Sequence, residues 1–198
     1  ADITCVTRVS DRDGNHLRFV RQEGHLTAIQ DNGGLNIQVA CEQGRIVAMA
    51  AKGRVLIRYQ YQDNALTAAV DALGHAKYYT YTDGRMTRHR DRNGLSFYYQ
   101  YDGKGRCVHG WGDNGLYDCR LDYQPYQRCT RVTNSLGHAW QYYFDADRLP
   151  IKVVDPTGAA TLYEYDAVGR VVVVIDPLER ITRYAYDAAG NVIEITRP

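Results

Sequence analysis

The chain has 198 residues and a formal net charge of +1, from 24 basic and 23 acidic residues that form no blocks. That balance excludes a non-specific nucleic-acid binder, which needs a basic stripe to displace counterions from phosphates. Seventeen Tyr against three Phe, with 18 Gly, mark a composition rich in strand and turn formers, and no apolar run approaches the ~18 residues that cross a bilayer.

The opening stretch, ADITCVTRVSDRDG, has no basic segment followed by an apolar one, so no secretory leader is legible in it. From there a period sets in. The residue that closes each D-x-x-G turn or its degenerate copy stands at Gly14, Gly34, Gly53, Gly74, Gly94, Gly115, Gly137, Gly158 and Glu179, in steps of 19 to 22. A second series, G-R-hydrophobic, lies between them and opens at Gly24, Gly44, Asn64, Gly84, Gly105, Gln127, Asp147, Gly169 and Gly190. Two interleaved anchors on one period make nine copies of a unit with two turns.

Asp at the first place and Gly at the fourth are the preferences of a type I turn, and Asp155-Pro156-Thr157-Gly158 adds Pro where its fixed φ fits. Between turns lie runs such as SFYYQY, TLYEY, RVVVVI and NVIEIT, with β-branched and aromatic residues. Each unit therefore reads as a β-hairpin, and the chain as an all-β antiparallel meander of about 18 strands. At ~4.8 Å per strand such a sheet is roughly 85 Å wide, so it has to curve or spiral. We expect one repeat array over 1–198, degenerate over 1–70 and well formed over 71–198, and part of something longer. Aligning the copies puts Leu26, Ile46, Leu66, Met86, Cys107, Cys129, Leu149, Val171 and Val192 in one slot, which predicts a continuous buried ladder. The next residue is β-branched except at Pro150. The run Val171 to Ile175 is an aggregation hazard unless it is paired or covered.

Candidate chemistry is sparse. The tyrosines suit either an aromatic platform for sugars or a cargo protein, or a structural ladder whose equivalent members sit ~9.6 Å apart, beyond ring stacking. A turn at Asp166 to Gly169 is expected to bring Tyr165 near Arg170 for a cation–π contact, with a bulge at Gly169 shifting that register by one. The arginines at 45, 85, 106, 128, 148 and 170 suit an anion-binding row or pairing with turn Asp and Tyr. Histidines 16, 25, 75, 89, 109 and 138 have no metal-ligand spacing. Five cysteines, at 5, 41, 107, 119 and 129, cannot all pair, and Cys107 and Cys129 read as reduced core residues. DRDGN at 11–15 resembles a calcium loop but lacks the acidic twelfth ligand, and no nucleophile elbow, H-E-x-x-H or Walker loop occurs.

The pattern Tyr-x-Tyr-Asp-x-x-Gly-Arg-hydrophobic, followed by Asp-Pro-x-Gly, resembles the YD repeat of the bacterial Rhs family. The likeness is sharpest in Tyr163, Tyr165, Asp166, Gly169 and Arg170 and in Tyr184, Tyr186, Asp187 and Gly190, and it is clear in Tyr79 and Tyr81 and in Tyr99, Tyr101, Asp102, Gly105 and Arg106, with Asp155, Gly158 and Asp176 as the intervening turns. The first 60 residues keep the period but replace the Tyr pair. The resemblance implies a non-enzymatic wall segment, with these residues as structural repeat positions, no catalytic residue and no cofactor. In the family, as in the related C components of insecticidal toxin complexes, the strand ribbon forms a shell around a C-terminal toxin domain, and many members leave the cell through type VI secretion. The implied partners are the rest of the shell, its toxin domain and a secretion adaptor, in a bacterial protein made in the cytoplasm and exported. Neither a toxin segment nor the family's self-cleaving aspartates are recognised here, so Asp155 and Asp176 receive no autoprotease role. The alternative is a carbohydrate- or cell-surface-binding module, and self-association through edge strands is expected in either case.

Overall fold

The computed structural model describes residues 5–198; residues 1–4, with which the expected array begins, lie outside the described residues. Where the chain reverses is decided by turn chemistry of two kinds. In the first, an Asp or Asn carboxyl or amide oxygen accepts the backbone N–H four residues on, and this recurs eleven times, from Asp11 to Asp187. The fourth residue donates back to the Asp carbonyl, as Gly169 does to Asp166 at 3.0 Å, and takes a positive φ. This is a type I turn with a bulged glycine. In the second, two consecutive residues take positive φ, at Glu23-Gly24, Gln43-Gly44, Lys52-Gly53, Asp63-Asn64 and Asp83-Gly84. These are type I′ hairpins, whose twist matches that of the flanking strands. Gly53, expected to close a four-residue turn, is thus the second residue of a two-residue one.

The chain divides into two compact units, Ala1–Phe97 and Tyr98–Pro198. The first carries β1 (Arg8–Ser10), β2 (His16–Gln22), β3 (His25–Asp31), β4 (Asn36–Glu42), β5 (Arg45–Ala51), β6 (Arg54–Gln62), β7 (Ala65–Asp71), β8 (Ala76–Thr82) and β9 (Arg85–Arg90). Each pairs antiparallel with the next, β1 to β9. The division falls within β10 (Ser96–Tyr101). The second unit carries β11 (Cys107–Gly112), β12 (Cys119–Gln124), β13 (Cys129–Asn134), β14 (Ala139–Phe144), β15 (Pro150–Val154), β16 (Ala160–Tyr165), β17 (Val171–Ile175), β18 (Ile181–Tyr186) and β19 (Val192–Thr196). Here too every ladder from β11 to β19 is antiparallel and joins sequence neighbours. The all-β hairpin-repeat architecture is the expected one. Nineteen strands form, the additional one being the short β1 ahead of the first turn. Among the described residues the remaining regular structure is two single 3-10 turns, Asp113–Gly115 and Pro125–Gln127, and no helix is long and apolar enough to cross a membrane.

Within each unit the substantial strand contacts are with sequence neighbours, so the sheet is one layer thick and buries little. Val39, Ala68, Ala69 and Cys129 are the buried hydrophobic residues among those described. The expected buried ladder is therefore corrected: its members are half-buried, Cys129 alone is buried, and Val192 on β19 is exposed. A single layer has no second surface to exclude water from either face. One slot was also misaligned. Leu149 N–H donates to Asp145 Oδ1 and Leu149 O accepts from Asp145 N–H, the roles Arg170 plays toward Asp166, so Pro150 stands where Val171 does. The turn at Asp145 thus keeps the length of the turn at Asp166, with Arg148 in the glycine's left-handed position at φ 68°.

Candidate functional site

What repeats is a three-part arrangement that joins one hairpin to the next. It begins at the turn. Asp166 Oδ1 accepts the N–H of Val168 and Arg170, and its Oδ2 accepts from Arg170 Nε at 2.6 Å. Asp102 treats Lys104 and Arg106 the same way, with Arg106 Nε at 2.8 Å, and Asp176 holds Arg180 Nε at 2.6 Å. The backbone N–H of Arg106 and of Arg170, ahead of their guanidiniums, holds the carboxyls of Asp102 and Asp166 below the usual carboxylate range against the opposing effect of desolvation. For Asp176 the Arg180 side chain is the leading cause of the same shift.

The second part is a bulge. On the strands entering seven of the second-series turns the register shifts just before one position: Val20/Arg21, Ala40/Cys41, Gln60/Tyr61, Thr80/Tyr81, Tyr143/Phe144, Glu164/Tyr165 and Ala185/Tyr186, whereas β12 pairs with β13 without a shift. An extra residue locally turns the strand and re-aims the next side chain. The bulge expected at Gly169 thus sits at Glu164/Tyr165.

The third part is a clasp, which the side chain at this strand end makes with the preceding hairpin, at a bulge or, for Tyr123, without one. Tyr186 Oη donates to Val171 O at 2.7 Å, Tyr165 to Pro150 O at 2.7 Å, Tyr123 to Cys107 O at 2.9 Å and Tyr61 to Ile46 O at 2.9 Å. Where the Tyr is replaced, the bond persists with other donors: Arg21 Nη1 to Val6 O at 2.8 Å and Cys41 Sγ to Leu26 O at 3.4 Å. Donor and acceptor are 15 or 16 residues apart in each case. The arginine held by the turn Asp then covers the clasping ring, with Arg170 over Tyr186 at 4.8 Å and Arg106 over Tyr123 at 4.4 Å, and Arg45, which follows a Gln-Gly turn, lies over Tyr61 at 5.7 Å. This corrects the expected Tyr165–Arg170 contact, because the guanidinium reaches the tyrosine of the following hairpin. It fills the ~9.6 Å gap that rules out direct ring stacking. Desolvation raises the phenol pKa of Tyr81, Tyr99, Tyr123 and Tyr165 above the usual tyrosine value.

The remaining residues of the repeat pattern fall in these places. Gly105, Gly158, Gly169 and Gly190 are the left-handed turn residues, and Asp155 and Asp187 accept turn N–H groups as Asp166 does. Asp155 also accepts the Thr157 hydroxyl at 2.6 Å. Tyr79, Tyr163 and Tyr184, first members of their pairs, are half-buried opposite His89, Val174 and Ile195, and Tyr99 lies half-buried against Gly110. Tyr81 stands at the bulge opposite Met86, and Tyr101 is half-buried at the end of β10.

One cluster was not legible in the sequence. His109 Nε2 lies 2.7 Å from Asp118 Oδ2, its ring stacks on Trp111 at 4.2 Å, and Trp111 stacks on Tyr98 at 5.5 Å. A nine-residue separation between His and Asp matches no motif, and the widened turn between β11 and β12 brings them together. Among the described residues no group of three or more His, Cys, Asp or Glu side chains gathers to hold a metal, and all five cysteines are free.

The region where turn Asp, Arg and clasping Tyr occur together in successive hairpins is also the one that matches a known family. The family described as RHS Repeat matches residues 147–180 and 165–198. Residues 147–198 thus carry RHS repeats. Solved structures carry the same fold over nearly the whole of it. The Photorhabdus luminescens Tc holotoxin pore with a TccC3 variant aligns over 96% of this chain with a TM-score of 0.63 and 14% identity. TcdB2-TccC3 without its hypervariable C-terminal region aligns over 95% with a TM-score of 0.57 and 14% identity. At that identity the likeness is one of fold, and this chain spans 12% of the length of either matched chain. No curated protein matches it.

Proposed function

We propose that this chain is a length of Rhs-repeat wall in a larger bacterial protein, that the wall encloses a toxin domain, and that the assembly is exported, with type VI secretion as the route. The observation that carries the reading is the clasp, since a fold that ties each hairpin to the one before it favours an uninterrupted hydrogen-bonded surface over a cleft. Repetition of the same arrangement along the chain suits a barrier and does not suit a single reacting centre. The RHS Repeat match and the fold shared with the TcdB2-TccC3 structures support the same reading. The remainder of the shell, its toxin domain and a secretion adaptor are the partners that follow from it.

A glycan-binding module is the weaker alternative, because the clasping phenols spend their hydroxyls on backbone carbonyls and one face of their rings on arginine. The test is purification, from the producing bacterium, of the protein that contains this chain. Proteinase K is expected to spare a co-purifying toxic polypeptide in the parent and to digest it after Tyr165→Phe with Tyr186→Phe. Equal digestion of parent and variant overturns enclosure. Release into the medium that persists after loss of the type VI sheath overturns the route.

A further inference from the structure

One hairpin departs from the arrangement the others share, and the departure leaves charge without its partner. Gln124-Pro125-Tyr126-Gln127-Arg128 matches Asp176-Pro177-Leu178-Glu179-Arg180 in its proline and its arginine, but the carboxylate has become an amide. Arg180, Arg170 and Arg106 are each held by the Asp four residues earlier. Gln124 instead donates from Nε2 to Asp122 Oδ2 at 2.7 Å. The backbone follows: Arg128 N–H closes on Pro125 O at 3.1 Å, and Arg128 itself takes the left-handed conformation at φ 48°. Among the described residues its guanidinium has no hydrogen bond or ion pair. The ring that would meet it in the next hairpin is Phe144, at the bulge position that Tyr165 and Tyr186 occupy elsewhere.

The neighbouring turn departs in a complementary way. Its length is kept, but Leu149 occupies the place from which an arginine reaches the turn carboxylate, and Arg148 sits at the left-handed position. Arg128 and Arg148 line one groove of about 420 Å³, together with Arg106, Tyr123, Phe144 and Asp145. Arg106 is engaged by Asp102. Arg128 and Arg148 therefore line the groove against the single carboxylate of Asp145, whose Oδ1 is taken by the Asp147 and Leu149 N–H groups.

We propose that this groove binds a carboxylate side chain of an acidic polypeptide segment, with Arg128 as its principal contact. The occupant is indicated by charge, since Arg128 and Arg148 line the groove from left-handed turn positions against the one carboxylate of Asp145. A guanidinium fork matches a carboxylate in a paired geometry, and the rings of Tyr123 and Phe144 offer an apolar wall to the stem that carries it. The inference needs only this chain and stands apart from the enclosure reading.

Titration of the 198-residue chain with a capped tetra-glutamate peptide, followed by calorimetry and by the Nε–H signals of arginine, tests it. Saturable binding is expected with the glutamate peptide and none with its glutamine counterpart. Arg128→Gln is expected to weaken binding by at least about tenfold, whereas Arg183→Gln, an exposed arginine on β18, leaves it unchanged. Gln124→Asp adds a carboxylate to the groove's own lining, so it is expected to weaken binding in the same way while keeping the chain folded. Undiminished binding by Gln124→Asp, or equal binding of the glutamine peptide, overturns the proposal. Full displacement of the peptide by equimolar inorganic phosphate reassigns the groove to phosphate and overturns it as well.

Discussion

At the scale of the residue, the tyrosine hydroxyl has a defined energetic role. Tyr186 Oη bonds Val171 O from a half-buried ring, and removing it leaves that carbonyl without its side-chain donor while the ring and the Arg170 contact remain. Tyr186→Phe is expected to lower stability by about 0.5–1.5 kcal/mol, the net worth of one such bond, read as a fall in the urea midpoint at unchanged slope. An unchanged midpoint would remove the clasp from the account. The turn aspartates set the pH dependence. Backbone and arginine donors depress the folded carboxyl pKa of Asp102, Asp166 and Asp176 below the unfolded value, which is about 3.9. The folded state therefore binds fewer protons than the unfolded one near that pH, and stability rises with pH there. The contribution is complete above the unfolded value and is lost as pH falls through the folded ones. Urea midpoints measured from pH 2 to pH 6 are expected to climb and then level above about pH 5. A midpoint that falls over that interval contradicts the assignment.

At the scale of the element, turn type decides register. Glu179 stands at φ 60° in the place that Gly158 and Gly169 fill in equivalent turns. A side chain there costs roughly 1–2 kcal/mol, of which glycine's extra unfolded-state entropy returns about 0.5–1. Glu179→Gly is accordingly expected to raise stability by up to about 1 kcal/mol, and Gly169→Val to lower it by more, in the same denaturation experiment. How much of this was legible can be judged turn by turn. Asp166 and Gly169 announce their turn because each residue's own backbone preference demands it. The shift at Leu149 was hidden, because similarity of letters aligned Leu149 with Val171, whereas the turn has its full length and Leu149 stands where Arg170 does. The hydrogen bonds of Leu149 to Asp145 show it directly. The bulges were hidden too, since they occur at Val20, Ala40, Gln60 and Glu164 alike and carry no residue signature.

At the scale of the whole molecule, a single-layer sheet leaves its terminal strands half-dressed. On β19, Val192, Ile193 and Ile195 are 48%, 66% and 48% exposed, whereas the Val171 to Ile175 run of β17 is half-buried between two neighbours. An apolar edge with unpaired backbone groups recruits further strands. Sedimentation of the 198-residue chain is expected to show concentration-dependent association that Ile193→Lys with Ile195→Lys suppresses, and a chain that stays monomeric throughout contradicts this. The far-ultraviolet circular dichroism is expected to be strand-dominated in both.

The sequence alone was enough for the period, the two turns per unit, the antiparallel hairpin architecture and the Rhs resemblance, because turn preferences and strand composition are local and each residue declares its own. Only the tertiary structure decided which tyrosine meets which arginine, that the phenol reaches a carbonyl 15 residues back, and that Arg128 and Arg148 share a groove. Those contacts join residues of successive hairpins, and their register depends on bulges that one strand acquires only when it is laid against the next.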